Sequence, residues 1–116
     1  MIQPGGTVER ERRRTPRYVF FASAELLEEK SEVRIASRVS ELSLNGCYLD
    51  MMNPFPKDTL VLVRIWADEK VFQTKGKIIY SQPNMGAGVV FLDVDSMYLP
   101  TLQIWLNAAA KKQQGT

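Results

Sequence analysis

The run Tyr18-Val19-Phe20-Phe21-Ala22-Ser23-Ala24-Glu25-Leu26-Leu27 carries two interleaved sets of side chains, with Tyr18, Phe20, Ala22, Ala24 and Leu26 in one and Val19, Phe21, Ser23 and Glu25 in the other. A period of two is the geometry of a β-strand, whose successive side chains point to opposite faces. Apolar residues in both sets mean that both faces are at least partly covered. We therefore expect a first strand from Arg17 to Leu27. The polar run Glu28-Glu29-Lys30-Ser31 then turns the chain, and Val33, Ile35 and Val39 alternate with Arg34 and Arg38, which gives a second strand and a hairpin.

The same pattern continues toward the C-terminus. Asn45-Gly46 is a turn dipeptide, followed by a brief third strand around Cys47, Tyr48 and Leu49. Asn53-Pro54-Phe55-Pro56-Lys57-Asp58 is a loop, because each proline removes a ladder donor and keeps its predecessor out of helical space. Leu60 to Trp66 and Val71 to Tyr80 form a second hairpin about Asp68-Glu69-Lys70, with Lys75 and Lys77 on one face. Gln82 to Gly86 turns again, and Val89 to Leu92 is a sixth strand behind Gly86 and Gly88, whose missing side chains allow a close backbone approach or a bulge. Leu99, Leu102, Leu106 and Ala109 then recur at helical spacing, with Pro100 in the first turn, Ser96 or Asp95 as N-cap, and Lys111 and Lys112 at the negative end of the dipole. Six short strands and one C-terminal helix imply an all-β fold, a six-stranded antiparallel barrel, since closure removes the exposed edges that invite aggregation. The helix packs on the barrel or covers one mouth. The expected organisation is a leader over 1–11, one domain over 12–110 and a tail over 111–116.

Composition bounds what such a domain can do. The 116 residues suffice for one hydrophobic core, and 45% apolar with 24% charged residues are ordinary for a folded protein. No apolar stretch is long enough to span a bilayer or to act as a secretory leader, so we expect a cytoplasmic protein with no membrane insertion. With no histidine and the single Cys47, the usual zinc sites and Cys/His catalytic arrangements cannot be assembled. No catalytic residue, metal or cofactor is expected. Net charge is +2, yet residues 1–20 carry five arginines against two glutamates while the other 96 residues are slightly acidic. Anion chemistry therefore concentrates on the N-terminal arm, and the acidic body argues against DNA or RNA as partner.

Three segments stand out. Arg13 and Arg17 flank Arg14-Thr15-Pro16 just before the first strand, and arginine's planar fork suits a phosphate or the O6/N7 edge of guanine. Ser40-Glu41-Leu42-Ser43-Leu44-Asn45-Gly46 alternates polar and apolar residues up to a turn glycine, with Ser43 and Asn45 supplying turn hydrogen bonds. Gly86-Ala87-Gly88-Val89-Val90-Phe91 reads as a turn and a buried strand. In this order and at these separations the segments resemble the PilZ domain, a bacterial receptor module for the second messenger cyclic di-GMP. The family pattern is R-x-x-x-R on the arm before the first strand and D/N-x-S-x-x-G about a hairpin later. Arg13 and Arg17 match the first element, and Ser43 and Gly46 the second; the resemblance spans about residues 9 to 107.

The resemblance implies a non-enzymatic receptor. The two arginines hold guanine and phosphate, while the carboxylate or amide, the serine hydroxyl and the turn backbone hold a guanine base. Arg12, just before the first motif arginine, stands where the family's residue influences whether one ligand or a stacked pair is bound. The expected ligand-binding set is Arg12, Arg13, Arg17, Glu41, Ser43 and Gly46. Glu41 departs from the family's Asp or Asn, and its extra methylene carries the carboxylate about 1.5 Å further out, which implies reduced affinity. That departure supports an alternative: a degenerate PilZ-type domain that no longer binds nucleotide and serves as a protein-interaction module in motility, pilus or polysaccharide systems. Either way a downstream protein partner is expected. A small barrel for single-stranded nucleic acid is disfavoured by the acidic body and by the lack of an aromatic platform among basic residues. Arg34, Arg38, Lys75 and Lys77 read as a solvated barrel face, Trp66 and Trp105 as core or edge packing, and Cys47 as a small apolar-like filler.

Overall fold

The computed structural model describes residues 15–114. Six strands, β1 (Arg17–Glu28), β2 (Arg34–Ser43), β3 (Gly46–Asp50), β4 (Leu60–Ala67), β5 (Lys70–Gln82) and β6 (Gly86–Leu92), precede one helix, α1 (Leu99–Gln114). The strands close into an antiparallel barrel in the order β1-β2-β3-β6-β5-β4. Hairpin neighbours therefore pair, and the two joins that complete the circle are β3 with β6 and β1 with β4. The alternation in β1 sorts as expected: Ala22, Ala24 and Leu26 are buried, while Val19, Phe21 and Ser23 face outward.

The interior is filled from every strand, with Leu26, Val39, Leu42, Leu49, Val61, Val63, Ile65, Phe72, Ile78 and Val89 all fully enclosed. The helix closes the core by laying Leu102, Trp105 and Ala109 against β1 and β5. Trp105 is the central ring of this seal, 5.3 Å from Phe20 and 6.4 Å from Phe72 between centroids, and Tyr98 meets Phe72 edge-on at 6.3 Å. Neither expected N-cap holds that position, which falls to Tyr98, whose carbonyl accepts the Leu102 N–H at 3.2 Å; Asp95 instead shapes the turn before it. Its Oδ1 accepts the Met97 N–H at 2.8 Å and its carbonyl accepts that of Tyr98, which starts the turn leading into the helix. Trp66, in contrast, lies on the outer surface opposite Ser23 and Val71.

Two boundaries, and the regularity of the ladder, differ from the sequence expectation. The helix continues through residues 111–114 rather than leaving them as tail, and Gln113 accepts the Val19 N–H at 2.9 Å, a tertiary bond that ties the end of the helix to β1. β6 begins at Gly86, three residues earlier than Val89, because Gly86, Ala87 and Gly88 are already paired with β3 on one side and β5 on the other. The ladder also shifts register between Val39 and Glu41 on β2 and between Ile78 and Tyr80 on β5. Each shift inserts one residue, and a bulge of this kind re-aims the side chains beside it. No helix among the described residues is long and apolar enough to cross a membrane.

Candidate functional site

Strand pairing brings the two motif elements together. Arg17, the first residue of β1, is directly opposite Ser43, the last of β2, and Val19 is opposite Glu41. Asn45 Nδ2 donates to Thr15 Oγ1 at 3.0 Å, fastening the turn after β2 to the segment that enters β1. Arg12 and Arg13 lie outside the described residues.

Within the turn, Ser43 is a structural hub. Its Oγ accepts the N–H groups of Asn45 at 3.2 Å and Gly46 at 3.1 Å and donates to the Gly46 carbonyl at 3.2 Å. The Asn45 carbonyl in turn accepts the Phe91 N–H at 2.8 Å, which pins the turn onto β6. Gly46 sits so close to β6 that a methyl group there would strike the Val89 carbonyl oxygen. This position tolerates no side chain, a requirement of backbone approach. The sequence reading of Ser43 as turn-forming thus holds, whereas the Asn45 side chain bonds outside the turn, to Thr15.

Glu41 points outward on the same strand. Its Oε1 stands 4.0 Å from Arg17 Nη1, with both side chains half exposed or more. An exposed pair at this separation contributes between 0 and about 1 kcal/mol, so it restrains neither group. The cross-strand partner of Glu41 on β3 is Tyr48, whose partner on β6 is Gly88, whose partner on β5 is Tyr80. One row thus crosses four strands of the outer surface, and the bulges on β2 and β5 flank it. Tyr48 donates its hydroxyl to Gln82 Oε1 at 2.7 Å. Its pKa is raised, first by desolvation and then by the neighbouring Tyr80, Asp50 and Glu41, so the hydroxyl stays a donor.

These residues line an open groove of about 880 Å³, with Arg17, Glu41, Ser43 and Gly46 contributed by the motif elements and Tyr48, Ile79, Tyr80 and Gly88 by the adjoining β3, β5 and β6. A groove of this size has the volume of a small-ligand site. Its chemistry is a guanidinium, a carboxylate, turn backbone and aromatic faces, a set suited to an anionic ligand with a flat hydrogen-bonding ring. Cys47, the residue after Gly46, faces the core, where burial pushes its thiol up to about 12. It is a core filler, as expected, and not a nucleophile at neutral pH. Among the described residues the other basic side chains stay outside the groove lining: Arg34 pairs with Glu25 at 3.3 Å, Arg38 stands over the Phe21 ring at 5.8 Å, and Lys77 is 3.9 Å from Asp58.

Sequence reasoning missed Tyr48, Ile79, Tyr80 and Gly88 as groove residues. Their convergence depends on β3 pairing with β6 and on a bulge at Ile79, and neither has a local signature. The doubled Ile78-Ile79 before Tyr80 is the one trace, since it breaks a strict alternation.

Comparison with known proteins bears directly on this arrangement. The family model for the PilZ domain matches residues 11–103, a span that includes both motif elements. Among solved structures, the chain is similar to the PilZ domain of YcgR from Escherichia coli with cyclic di-GMP, at 16% identity over 90% of this chain and 98% of that one, with a TM-score of 0.66. It is also similar to the PilZ domain of CeSA from a cellulose synthesizing bacterium, at 18% identity over 78% of this chain and 93% of that one, with a TM-score of 0.61. A search of curated proteins found no match. At such identities the structural likeness speaks for the fold, and the family rests on the matched sequence span, which is most of the chain: this protein belongs to the PilZ domain family.

Proposed function

We propose that this domain is a cytoplasmic, non-enzymatic receptor for cyclic di-GMP, bound in the groove between the N-terminal arm and the outer surface of β3 and β6. The observation that carries this reading is the convergence of Arg17, Glu41 and the Ser43 to Gly46 turn on one open groove, in a chain of a family of cyclic di-GMP receptors. In this reading Arg17, with Arg12 and Arg13 from the arm, supplies the cations for phosphate and for the acceptor edge of guanine. Glu41 is an acceptor only, and guanine's N1–H and exocyclic amine are donors side by side, so the longer carboxylate keeps the complementarity that the family's aspartate has. The weak Arg17–Glu41 contact is easily displaced, because a charge-assisted bond to phosphate contributes more than an exposed ion pair.

The signal in this proposal is closure of the arm, residues 12–17, over the dianion. Closure changes the charge and shape of one surface, which a protein partner then reads. A second reading, the interaction module without nucleotide, is favoured by one observation: Glu41 stands where the family pattern has Asp or Asn. Calorimetric titration with cyclic di-GMP, GMP and a short oligonucleotide separates the two. The receptor reading predicts saturable binding of cyclic di-GMP well above that of GMP and no oligonucleotide binding. Absence of any heat with cyclic di-GMP leaves the interaction module standing.

A further inference from the structure

The side of the barrel away from the groove carries cations and bare aromatic rings that the two motif elements do not use. Around the closed barrel β1 stands three strands from β6, and β4 three from β3, so the outer face of β1 and β4 is turned opposite to the groove. Strand register orders this face into rows. One row runs Arg34 on β2, Leu27 on β1, Leu62 on β4 and Lys75 on β5, and another runs Arg38, Ser23, Trp66 and Val71 on the same four strands. Between them Arg64 donates to Gln73 Oε1 at 2.8 Å, and Lys77 follows Lys75 along β5.

The charges here are largely unanswered. Glu25 pairs with Arg34 at 3.3 Å and Asp58 stands 3.9 Å from Lys77, while Arg38, Arg64 and Lys75 form no ion pair with a described residue. Asp50 is the cross-strand neighbour of Arg38 on β3, and Glu29, Glu32, Asp68 and Glu69 sit in the hairpin turns at the two ends of the face. Amid these cations two aromatic side chains are open to solvent, Phe21 at 65% and Trp66 at 41% exposure. Exposed apolar groups of this size beside charge mark a contact surface.

The shape of the face selects among contacts. A barrel wall is convex, so a flat surface meets β1 and β4 first and the flanking strands second. The two central strands present Phe21, Leu27, Leu62 and Trp66, whereas the flanks present Arg34 and Arg38 on β2 and Lys75 and Lys77 on β5. An apolar crest between basic flanks matches the surface of an anionic bilayer, where Trp and Phe enter at headgroup level and Lys and Arg reach the phosphates. We infer that this face docks the domain peripherally on an anionic lipid surface, with Phe21 and Trp66 among the headgroups and Arg38 and Lys75 against lipid phosphate. The inference does not rest on the cyclic di-GMP reading, because the groove stays open on the opposite side.

The test uses the full chain with vesicles of phosphatidylcholine alone or with about one-third phosphatidylglycerol. Sedimentation is expected to show binding to the anionic vesicles only, weakened by added salt. Trp66 emission is expected to move to shorter wavelength on binding; Trp105 is 2% exposed in the core and does not respond. In Trp66→Phe the emission change is lost while affinity stays near the parent. The double variant Arg38→Gln/Lys75→Gln should bind about thirtyfold more weakly, the scale for losing two cations near an anionic surface. No binding to anionic vesicles at low salt, or binding without a change in Trp66 emission, overturns the inference. Parental affinity in the double variant places the association on the arginine arm and overturns it equally. A glutamate-rich peptide that shifts Trp66 emission where vesicles do not makes the face a protein contact and removes the lipid surface as its occupant. The parent's emission decides the matter even if a variant fails to fold.

Discussion

Ser43 is 6% exposed and makes three hydrogen bonds inside its own turn, whereas Glu41, two residues earlier on the same strand, is half exposed and stands 4.0 Å from Arg17, its nearest cation among the described residues. Both belong to one sequence motif, yet the structure divides them. Ser43 and Gly46 spend their chemistry on the protein, holding the turn against β6 so that its backbone has one shape. Glu41 and Arg17 spend almost none of theirs, and so remain available to a ligand. A motif of this kind is a scaffold and a set of contacts interleaved in one stretch of chain. Substitutions should sort accordingly, into those that unfold the site and those that only empty it.

The largest effect is expected at Gly46. In Gly46→Ala the new methyl group meets backbone on β6, which cannot rotate away, so strands must separate locally. A loss of about 3 kcal/mol of unfolding free energy is expected, read by denaturant titration without ligand. A stability within about 0.5 kcal/mol of the parent would mean that the β3–β6 contact is looser than described. On the contact side, Arg17→Ala should leave stability within about 0.5 kcal/mol while weakening cyclic di-GMP binding by about 2 kcal/mol, the scale of a hydrogen bond to a charged group. Equal losses in both quantities would erase the distinction between scaffold and contact. Ser43→Ala should fall between them, costing about 1 to 2 kcal/mol of stability because the Gly46 and Asn45 N–H groups lose their acceptor inside a part-buried turn.

The residue beside Gly46 sharpens the comparison in a different variable. Cys47 faces the core, and its thiol is pushed up to about 12 from an ordinary 9.0 by burial. The folded protein therefore retains a proton that the unfolded chain releases above pH 9. Stability from this group is complete below pH 9 and is lost as pH rises from 9 toward 12, by up to about 1.4 kcal/mol per pH unit. Stability curves measured from pH 8 to 11 should fall more steeply for the parent than for Cys47→Ala. Parallel curves would mean that the thiol is not enclosed.

Much of this fold was legible because alternation survives wherever one face of a strand is enclosed. Leu26, Leu42, Leu49, Ile65 and Ile78 are inward residues in strands whose outward neighbours are polar or half exposed, so reading the strands required only periodicity. The resemblance to the PilZ motif pattern put Arg17, Glu41, Ser43 and Gly46 into one candidate set, and the pairing of β1 with β2 explains why residues so distant in sequence meet. The tyrosine part of the groove was not legible. It depends on β6 inserting between β3 and β5, a long-range pairing, and on bulges at Ser40 and Ile79, which add a residue without a marker of their own. The helix end was misplaced for a related reason: periodicity stops at Ala109, but Gln113 is held by a hydrogen bond to Val19 that no apolar pattern can announce.

The central claim is that the contact residues, not the scaffold beneath them, meet cyclic di-GMP in the groove. Amide chemical-shift mapping of the isotope-labelled chain during titration with cyclic di-GMP tests it most directly. The account predicts that the largest changes fall at Arg17, across Glu41 to Tyr48, and at Tyr80 and Gly88, with the core strands nearly silent. Saturating ligand that moves no resonance, or changes centred instead on Phe21 and Trp66 on the outer face of β1 and β4, would contradict it.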